Sequence, residues 1–192
     1  MKILILSLVI TTSASITWWG RGHSDEGRIN LTIKRSIAES SDESGRIRRL
    51  NVSGENLKEI KALARLANIE DLDLSDNNIR DVSALSGFGD LVVLDLSHNQ
   101  ITDLTPLKKL KNLQYLNLSH NQIHSIKPLL ELPNLKGLLL AGNAGIDLSH
   151  VREMHALEAL FLTPGLQVSP SELKSLRQSL PACTIHLVSS AL

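Results

Sequence analysis

The chain has 192 residues, and its 20 basic and 20 acidic side chains give a formal net charge of zero, which argues against a nucleic-acid binder that relies on a strongly basic face. Apolar residues make up 42% of the chain but aromatic residues only 3%, so aliphatic side chains must fill the core of a globular fold. A single cysteine, Cys183, excludes an internal disulfide and a cysteine-based zinc site.

Residues 1–20 have the layout of a secretory signal peptide. A basic start and an apolar stretch, residues 3–10, are followed by small residues, and cleavage is expected after Ala14 or Ser15. The first alternative is an uncleaved membrane anchor, because the uncharged stretch 3–20 would rise about 27 Å as a helix, just short of a ~30 Å hydrocarbon core. A second alternative is a buried strand or helix of the domain itself.

A linker and a helical cap are predicted for residues 21–49. The segment begins with polar and glycine residues that are typical of a linker. Ile29, Ile33 and Ile37 then follow at intervals of four, which predicts a short amphipathic helix over 29–39. We expect this helix to cover the first unit of the domain that follows.

A repeat of 22 residues begins at Leu50 and predicts a solenoid over residues 50–168. Apolar residues alternate with polar ones at positions 1 and 3 of each unit, which predicts a short strand. Apolar residues then recur every third position from 8 to 20, which favours 3₁₀ or extended turns. One unit cannot bury its own apolar side, so successive units must stack. The leucines that open the units are Leu50, Leu72, Leu94, Leu116, Leu138 and Leu160.

An asparagine occupies position 6 in four successive units, and we interpret it as structural. The chain must turn sharply after each strand, and a buried asparagine can satisfy backbone groups of its own coil and the next. The predicted asparagine ladder consists of Asn77, Asn99, Asn121 and Asn143.

This repeat resembles the leucine-rich repeat family. The pattern LxxLxLxxNxIxDLxxLxxL is carried by residues 91–110, in which Leu94, Leu96 and Asn99 occupy positions 1, 3 and 6. The short 22-residue unit is similar to the class found in bacterial internalins and in a regulatory subunit of protein phosphatase. The resemblance implies an α/β fold: a right-handed solenoid with a parallel concave β-sheet, a convex side of 3₁₀ and irregular turns, and small helical caps. It implies less about function, because the family shares a scaffold rather than a ligand.

Residues 169–192 predict a C-terminal cap made of a helix and a strand. Ser169 is followed by a proline at the first helical position and by Glu172 three residues after the cap, which is the pattern of a capping box. This pattern predicts a helix over 170–180, and the apolar alternation after it predicts an edge strand over 184–188.

A binding surface is predicted on the concave face, where side chains alternate with the buried leucines. The first half of this face is acidic and hydroxylic, and the second half is apolar. Exposed apolar clusters often mark binding sites, and aromatic residues are frequent interface anchors. In the alternative interpretation, Leu139 and Phe161 pack beneath the C-terminal cap and the sheet is simply solvated. The predicted partner-binding residues are Asp73, Asp95, Tyr115, Asn117, Leu139 and Phe161.

Neither a metal site nor a catalytic site is predicted. Asp76, His98 and His120 share position 5 of successive units and would bring two imidazoles close to a carboxylate, a known ligand set. We expect no metal there, because position 5 should lie on an exposed shoulder that accepts any polar residue. The sequence also lacks a nucleophile elbow, a P-loop and a zinc-protease motif, so no cofactor is expected.

The sequence therefore predicts a non-enzymatic, monomeric module that binds a protein or peptide on the concave face of its solenoid. Such a stack holds its outward side chains rigid, so that binding orders little new backbone. Export, as a secreted, periplasmic or membrane-anchored protein, is expected from residues 1–20. The alternative is a cytoplasmic regulatory subunit that docks on an enzyme such as a protein phosphatase.

Overall fold

The chain folds into a stack of coils whose strands form one open parallel sheet. The computed structural model describes residues 48–66, 68–163 and 168–188, and in these residues seven strands lie side by side in chain order. From the first strand to the sixth, each residue is aligned with the residue one repeat later, as Leu72 is with Leu94. The strands are β1 (Arg49–Asn51), β2 (Asp71–Asp73), β3 (Val93–Asp95), β4 (Tyr115–Asn117), β5 (Gly137–Leu139), β6 (Ala159–Leu162) and β7 (Thr184–Leu187).

Short 3₁₀ turns form the side of the stack opposite the sheet, as the spacing of three predicts. Each one begins near position 12 of its unit and sends one apolar side chain inward, such as Leu85 or Leu107. The predicted fold class is therefore confirmed for the described residues. The turns are Lys61–Arg65, Ser83–Gly87, Thr105–Lys109, Lys127–Glu131 and Ser149–Glu153.

An aspartate caps three of these turns. The backbone amide of Ser83 donates to Asp81 Oδ1 at 2.8 Å, and that of Thr105 donates to Asp103 Oδ1 at 2.8 Å. Asp147 makes the equivalent bond with Ser149 at 2.9 Å. Since these hydrogen bonds favour the ionised carboxylate, they hold the pKa of each of the three aspartates below its ordinary value.

One aliphatic core runs the length of the stack. The inward leucines of the strands, such as Leu72 and Leu116, are fully buried, and so is one apolar residue of each turn, such as Leu85 or Leu107. Phe88 is the one buried Phe, Tyr or Trp among the described residues and stands where the following units have leucine or methionine. Because each coil buries its apolar side against its neighbours, the stack is stable only as a whole.

The asparagines at position 6 join the coils inside this core. Asn121 donates from Nδ2 to the carbonyl oxygen of Leu96 in the preceding coil at 2.9 Å, and its Oδ1 accepts the amide of Ile101 at 2.9 Å. It also donates to the carbonyl of Leu118 in its own coil. The sequence predicted that each asparagine bonds to its own coil and the next one. The second coil is instead the preceding one, because the asparagine side chain points back towards the first coil. Asn77, Asn99 and Asn143 make the same set of bonds.

A helix and a strand close the carboxyl end of the stack. Helix α1 (Pro170–Ser179) begins with a complete capping box between Ser169 and Glu172, and it lies near the last 3₁₀ turn. Strand β7 then pairs in parallel with β6. Burial raises the pKa of the Cys183 thiol, which precedes this strand.

The amino-terminal predictions lie outside the described residues. These are the signal peptide or anchor of residues 1–20 and the helix over 29–39. In the part of the chain that the structure does describe, no helix is both long enough and apolar enough to span a bilayer.

Candidate functional site

The outward side chains of the seven strands form a continuous surface, which we call the sheet face. Parallel register places equivalent residues of successive coils side by side, so the sheet face consists of two rows. All six predicted partner-binding residues lie on it. The first row is Arg49, Asp71, Val93, Tyr115, Gly137, Ala159 and Thr184, and the second row is Asn51, Asp73, Asp95, Asn117, Leu139, Phe161 and His186.

The two aspartates of the second row are held in place by the serines that follow them. Asp73 Oδ1 accepts the backbone amide of Ser75 at 2.9 Å and its hydroxyl at 2.7 Å. Asp95 Oδ1 accepts the same two groups of Ser97 at 2.8 and 2.6 Å. The serines at position 4 therefore act as partners of the aspartates. The sequence indicated that this half of the face is acidic and hydroxylic, but it did not show that the aspartates accept hydrogen bonds from the serines.

The second carboxylate oxygen of each aspartate accepts an amide from the adjacent strand. Asn51 Nδ2 donates to Asp73 Oδ2 at 3.0 Å, and Asn117 Nδ2 donates to Asp95 Oδ2 at 2.9 Å. Asn117, predicted to contact a partner, thus also holds its neighbour in position. A carboxylate has about four acceptor sites, and three are used in each aspartate, so each retains acceptor capacity towards solvent.

Negative charge is concentrated on the first half of the sheet face. Asp73 and Asp95 are aligned on adjacent strands, which places two like charges side by side. Arg49 and Asp71 pair at 3.5 Å in the first row. Among the described ion pairs, none involves Asp73 or Asp95, so their charges are not neutralised within this part of the chain.

Tyr115 opens the apolar half and lies against the next strand. Its side chain is 47% exposed. A Cβ atom at Gly137 would lie 2.7 Å from Cδ1 of the Tyr115 ring, so the ring occupies the space that a side chain at residue 137 would need. Glycine at this position therefore allows the ring to lie against β5.

Leu139 and Phe161 are half-buried, between the two alternatives that the sequence left open. The Phe161 ring stacks on His186 of β7, with centroids 4.4 Å apart and planes inclined by 13°. The last strand thus covers one face of the Phe161 ring. Sequence analysis missed His186, although its alternation with the buried Ile185 could have placed it on the sheet face.

A second pair of stacked rings lines the rim of the sheet face. His98 and His120 lie in adjacent coils with centroids 4.3 Å apart and planes inclined by 16°. Burial and, to a lesser extent, the nearby His98 lower the pKa of His120. Stacked rings direct their nitrogens along parallel lines and do not converge on one ion. In the described residues no group of three or more His, Cys, Asp or Glu side chains is placed to bind a metal.

The backbone at position 5 explains which residues the rim accepts. Asp76, His98 and His120 have φ of 54°, 54° and 55°, in the left-handed region. The equivalent residues Gly54 and Gly142 have φ of 70° and 76°. The expectation that any polar residue fits position 5 was therefore wrong, since this conformation favours glycine, asparagine, aspartate and histidine.

A groove of about 640 Å³ lies between the first three coils, outside the sheet face. Its walls carry both basic and acidic side chains, including Lys61, Arg80 and Asp81. Several of its residues already bond to one another, as Arg80 does through Nε to Gln100 Oε1 at 2.9 Å. None of the six predicted partner-binding residues lines this groove.

Comparison with known families identifies the repeat. Residues 45–101 match a family model described as leucine rich repeat, and residues 90–131 and 111–153 match one described as leucine rich repeats in two copies. Together the matches extend over more than half of the chain. None of the curated proteins matches the chain in sequence.

Solved structures with this fold include proteins from a bacterium and from a plant. Internalin InlF of Listeria monocytogenes is 22% identical over 85% of this chain and 56% of its own, with a TM-score of 0.60. Internalin C2 of the same species is 27% identical over 85% of this chain and 86% of its own, also with a TM-score of 0.60. The ectodomain of the Arabidopsis thaliana receptor kinase GASSHO1/SCHENGEN3, solved in complex with Casparian strip integrity factor 2, is 23% identical over 77% of this chain and 19% of its own, with a TM-score of 0.57. The chain thus spans little more than half of InlF and a fifth of the receptor ectodomain.

Proposed function

The chain belongs to the leucine-rich repeat family, and we propose that it is a non-enzymatic module that binds a protein or peptide on its sheet face. The observation that carries the proposal is the exposed Tyr115 ring, which lies against Gly137 in the first row of the sheet face, while the half-buried Leu139 and Phe161 occupy the second row on β5 and β6. An aromatic ring held against rigid backbone offers contact area at little entropic cost. The complex formed by the plant receptor ectodomain is consistent with partner binding by this fold.

The lack of converging catalytic groups on the described surface supports a binding role over an enzymatic one. The stacked histidines are the closest approach to a titratable cluster on the rim of the sheet face, and no serine or cysteine nucleophile contacts them in the described hydrogen bonds. The sheet face is an open surface and offers no enclosed site that would exclude water from a reaction.

The experiment that tests this function is partner capture followed by a binary affinity measurement. The immobilised full chain is exposed to an extract of its native host, captured proteins are identified, and the affinity of each purified candidate is measured by calorimetry. Tyr115→Ala and Phe161→Ala should each weaken binding at least tenfold, as expected for interface anchors. His155→Ala, which truncates an exposed ring outside the sheet face, is the matched control. Equal affinity of all variants would contradict the proposal.

Export remains the part of the proposal that rests on sequence alone. The uncharged stretch 3–20 beside Lys2 supports a signal peptide or a membrane anchor. Mass spectrometry of the chain recovered from its native host should show the loss of about 14 to 20 residues if a signal is cleaved. An intact chain in the cytosolic fraction would instead favour the alternative, a regulatory subunit docking on an enzyme such as a phosphatase.

A further inference from the structure

We infer that the sheet face recognises an extended partner segment that carries a lysine or arginine side chain and, about four residues away, an apolar or aromatic side chain. The inference rests on the proposed function and specifies the chemistry of the partner. It follows from the way that charge and apolar surface are separated along the strand order: the carboxylates lie on β2 and β3, and the apolar side chains lie on β4 to β6.

The cation site is the aligned pair Asp73 and Asp95. Their serine partners fix each carboxylate by two hydrogen bonds, so the negative charges are preorganised and cannot move apart. Two fixed like charges on adjacent strands repel each other. A single ammonium or guanidinium group placed between them would relieve this repulsion and use the remaining acceptor sites. An acidic segment would be repelled at the same place.

The apolar site is centred on Leu139 and Phe161, and Tyr115 lies at its edge towards the aspartates. His186 covers one face of the Phe161 ring, and the Tyr115 ring lies against Gly137 and is still 47% exposed, so both rings keep surface that a partner can contact. Leu139 lies between them in the strand order and is half-buried. An apolar partner side chain at this point would lose contact with water and gain contacts with both rings.

The strand spacing sets the distance between the two sites. Neighbouring strands lie about 4.8 Å apart, so three strand intervals separate the aspartate pair from the pair Leu139 and Phe161 by about 14 Å. An extended chain advances about 3.3 Å per residue, which places the two partner side chains about four residues apart. A segment that lies across the strands can therefore reach both sites without bending.

Designed peptides test this spacing directly. The probes are fluorescein-labelled peptides of twelve residues with a glycine–serine background. Each peptide contains one arginine and one tryptophan, and the separation, defined as the difference between their positions, ranges from one to seven. A second series carries glutamate in place of arginine. Anisotropy titrations with the full chain should show the tightest binding at a separation of four, because side chains three or five residues apart point to opposite sides of an extended chain. The glutamate series should bind at least fivefold more weakly.

Charge-removing variants separate the cation site from the apolar one. Asp73→Asn and Asp95→Asn are well matched to the fold, since Asn51 and Asn117 occupy the same position and accept the amide of the following serine in the same way. The double variant should weaken the best arginine peptide about fivefold, abolish the preference over glutamate and reduce the dependence on salt concentration. Asp90→Asn, which removes one exposed charge away from the sheet face, should change nothing.

The outcomes distinguish this inference from the function on which it rests. If Tyr115→Ala and Phe161→Ala weaken binding of the natural partner while Asp73→Asn/Asp95→Asn does not, the cation site is refuted and the sheet face remains the binding surface. If no peptide binds, or if affinity does not depend on separation, the inference is overturned. If none of these variants affects the natural partner, the proposed function fails as well.

Discussion

Asn99 donates from Nδ2 to the carbonyl oxygen of Leu74 in the preceding coil, at a distance of 2.9 Å. The same side chain accepts the backbone amide of Ile79 through Oδ1 at 2.9 Å and donates to the carbonyl of Leu96 in its own coil at 3.1 Å. Parallel strand pairing joins the coils at the sheet, and single backbone hydrogen bonds between coils resume after the turn, as from the amide of Gln100 to the carbonyl of Ile79 at 2.9 Å. The asparagine therefore joins them at the sharp turn after each strand, where backbone groups are buried and strand pairing has ended.

Asn99→Ala should reduce the free energy of unfolding by about 2 to 4 kcal/mol, because it leaves several buried backbone groups without a partner. Chemical denaturation followed by circular dichroism measures the loss. The matched control is Asn112→Ala, since Asn112 is exposed and its Nδ2 donates to a single carbonyl, that of Gly89. The control should cost about 1 kcal/mol or less. Similar losses in both variants would show that the ladder does not stabilise the stack.

The stack was predictable because each repeat makes nearly the same local contacts. The inward leucines, the 3₁₀ turns and the buried asparagines all depend on residues within a unit and on the identical residue one unit away. This reasoning predicted that Asn121 is buried and bonds to backbone groups of two coils. It did not predict correctly which neighbouring coil Asn121 bonds to. A ladder of equivalent side chains can point either way along the stack, and the repeat pattern does not distinguish the two.

The sheet face was harder to predict because its chemistry depends on how neighbouring coils differ. Asp73 and Asp95 were recognised as outward residues, but their bonds to serines two residues later require the turn geometry. The stack of Phe161 on His186 requires the register between β6 and β7, which lies outside the 22-residue spacing. At the rim, the left-handed backbone of His98 is not visible from residue type, since exposed polar residues occur in many conformations.

The stacked histidines should make the stability of the fold depend on pH. The pKa of His120 is lowered in the folded chain from an ordinary value of 6.5. Above that value both states are neutral and stability is complete. As the pH falls, the unfolded chain binds a proton more readily, so stability declines until the pH passes below the folded pKa. We expect the melting temperature to fall accordingly between pH 7.5 and 5.

His120→Asn isolates this contribution, because asparagine tolerates the left-handed backbone at position 5 but does not titrate. The variant should be less stable than the parent chain at pH 7.5, because the substitution removes the stacking of His120 on His98. The difference should shrink at pH 5, because only the parent chain loses stability through His120 as the pH falls. A difference in melting temperature that stays constant across this range would mean that His120 does not contribute to the pH dependence.

The aspartate caps should make stability depend on pH in a more acidic range than His120 does. Hydrogen bonds from the hydroxyl and the amide of Thr105 lower the pKa of Asp103 from 3.8. Stabilisation by this carboxylate is therefore present above about 3.8 and is lost as the pH falls through the lower folded value. Asp103→Asn keeps an acceptor oxygen for the turn but removes the charge, so it should lower the melting temperature at pH 6 and have less effect at pH 2.5.

Asp81 offers an independent repeat of this measurement. The amide and hydroxyl of Ser83 lower its pKa in the same way, one coil earlier. The double variant Asp81→Asn/Asp103→Asn should lower the melting temperature at pH 6 by at least the sum of the two single effects, because the two turns contact each other and each single substitution also relieves the repulsion between Asp81 and Asp103. Both carboxylates are largely exposed, so each single effect should be small. An effect that does not diminish in acid would show that side-chain geometry, and not charge, is responsible.

Gly137→Ala should alter the binding surface while leaving the fold almost unchanged. The added methyl group would lie 2.7 Å from Tyr115 Cδ1, so the ring must move away from β5. Because the ring is 47% exposed, it can do so without disturbing the core, and alanine suits a strand slightly better than glycine. We expect the free energy of unfolding to change by less than about 1 kcal/mol. Partner affinity should nevertheless fall, because the ring would be displaced from its place against residue 137 of β5. In a Tyr115→Ala background the same substitution should have no further effect on affinity, which a double-mutant cycle by calorimetry would measure. Additive losses would instead place the partner's contact on the backbone of β5 and not on the ring.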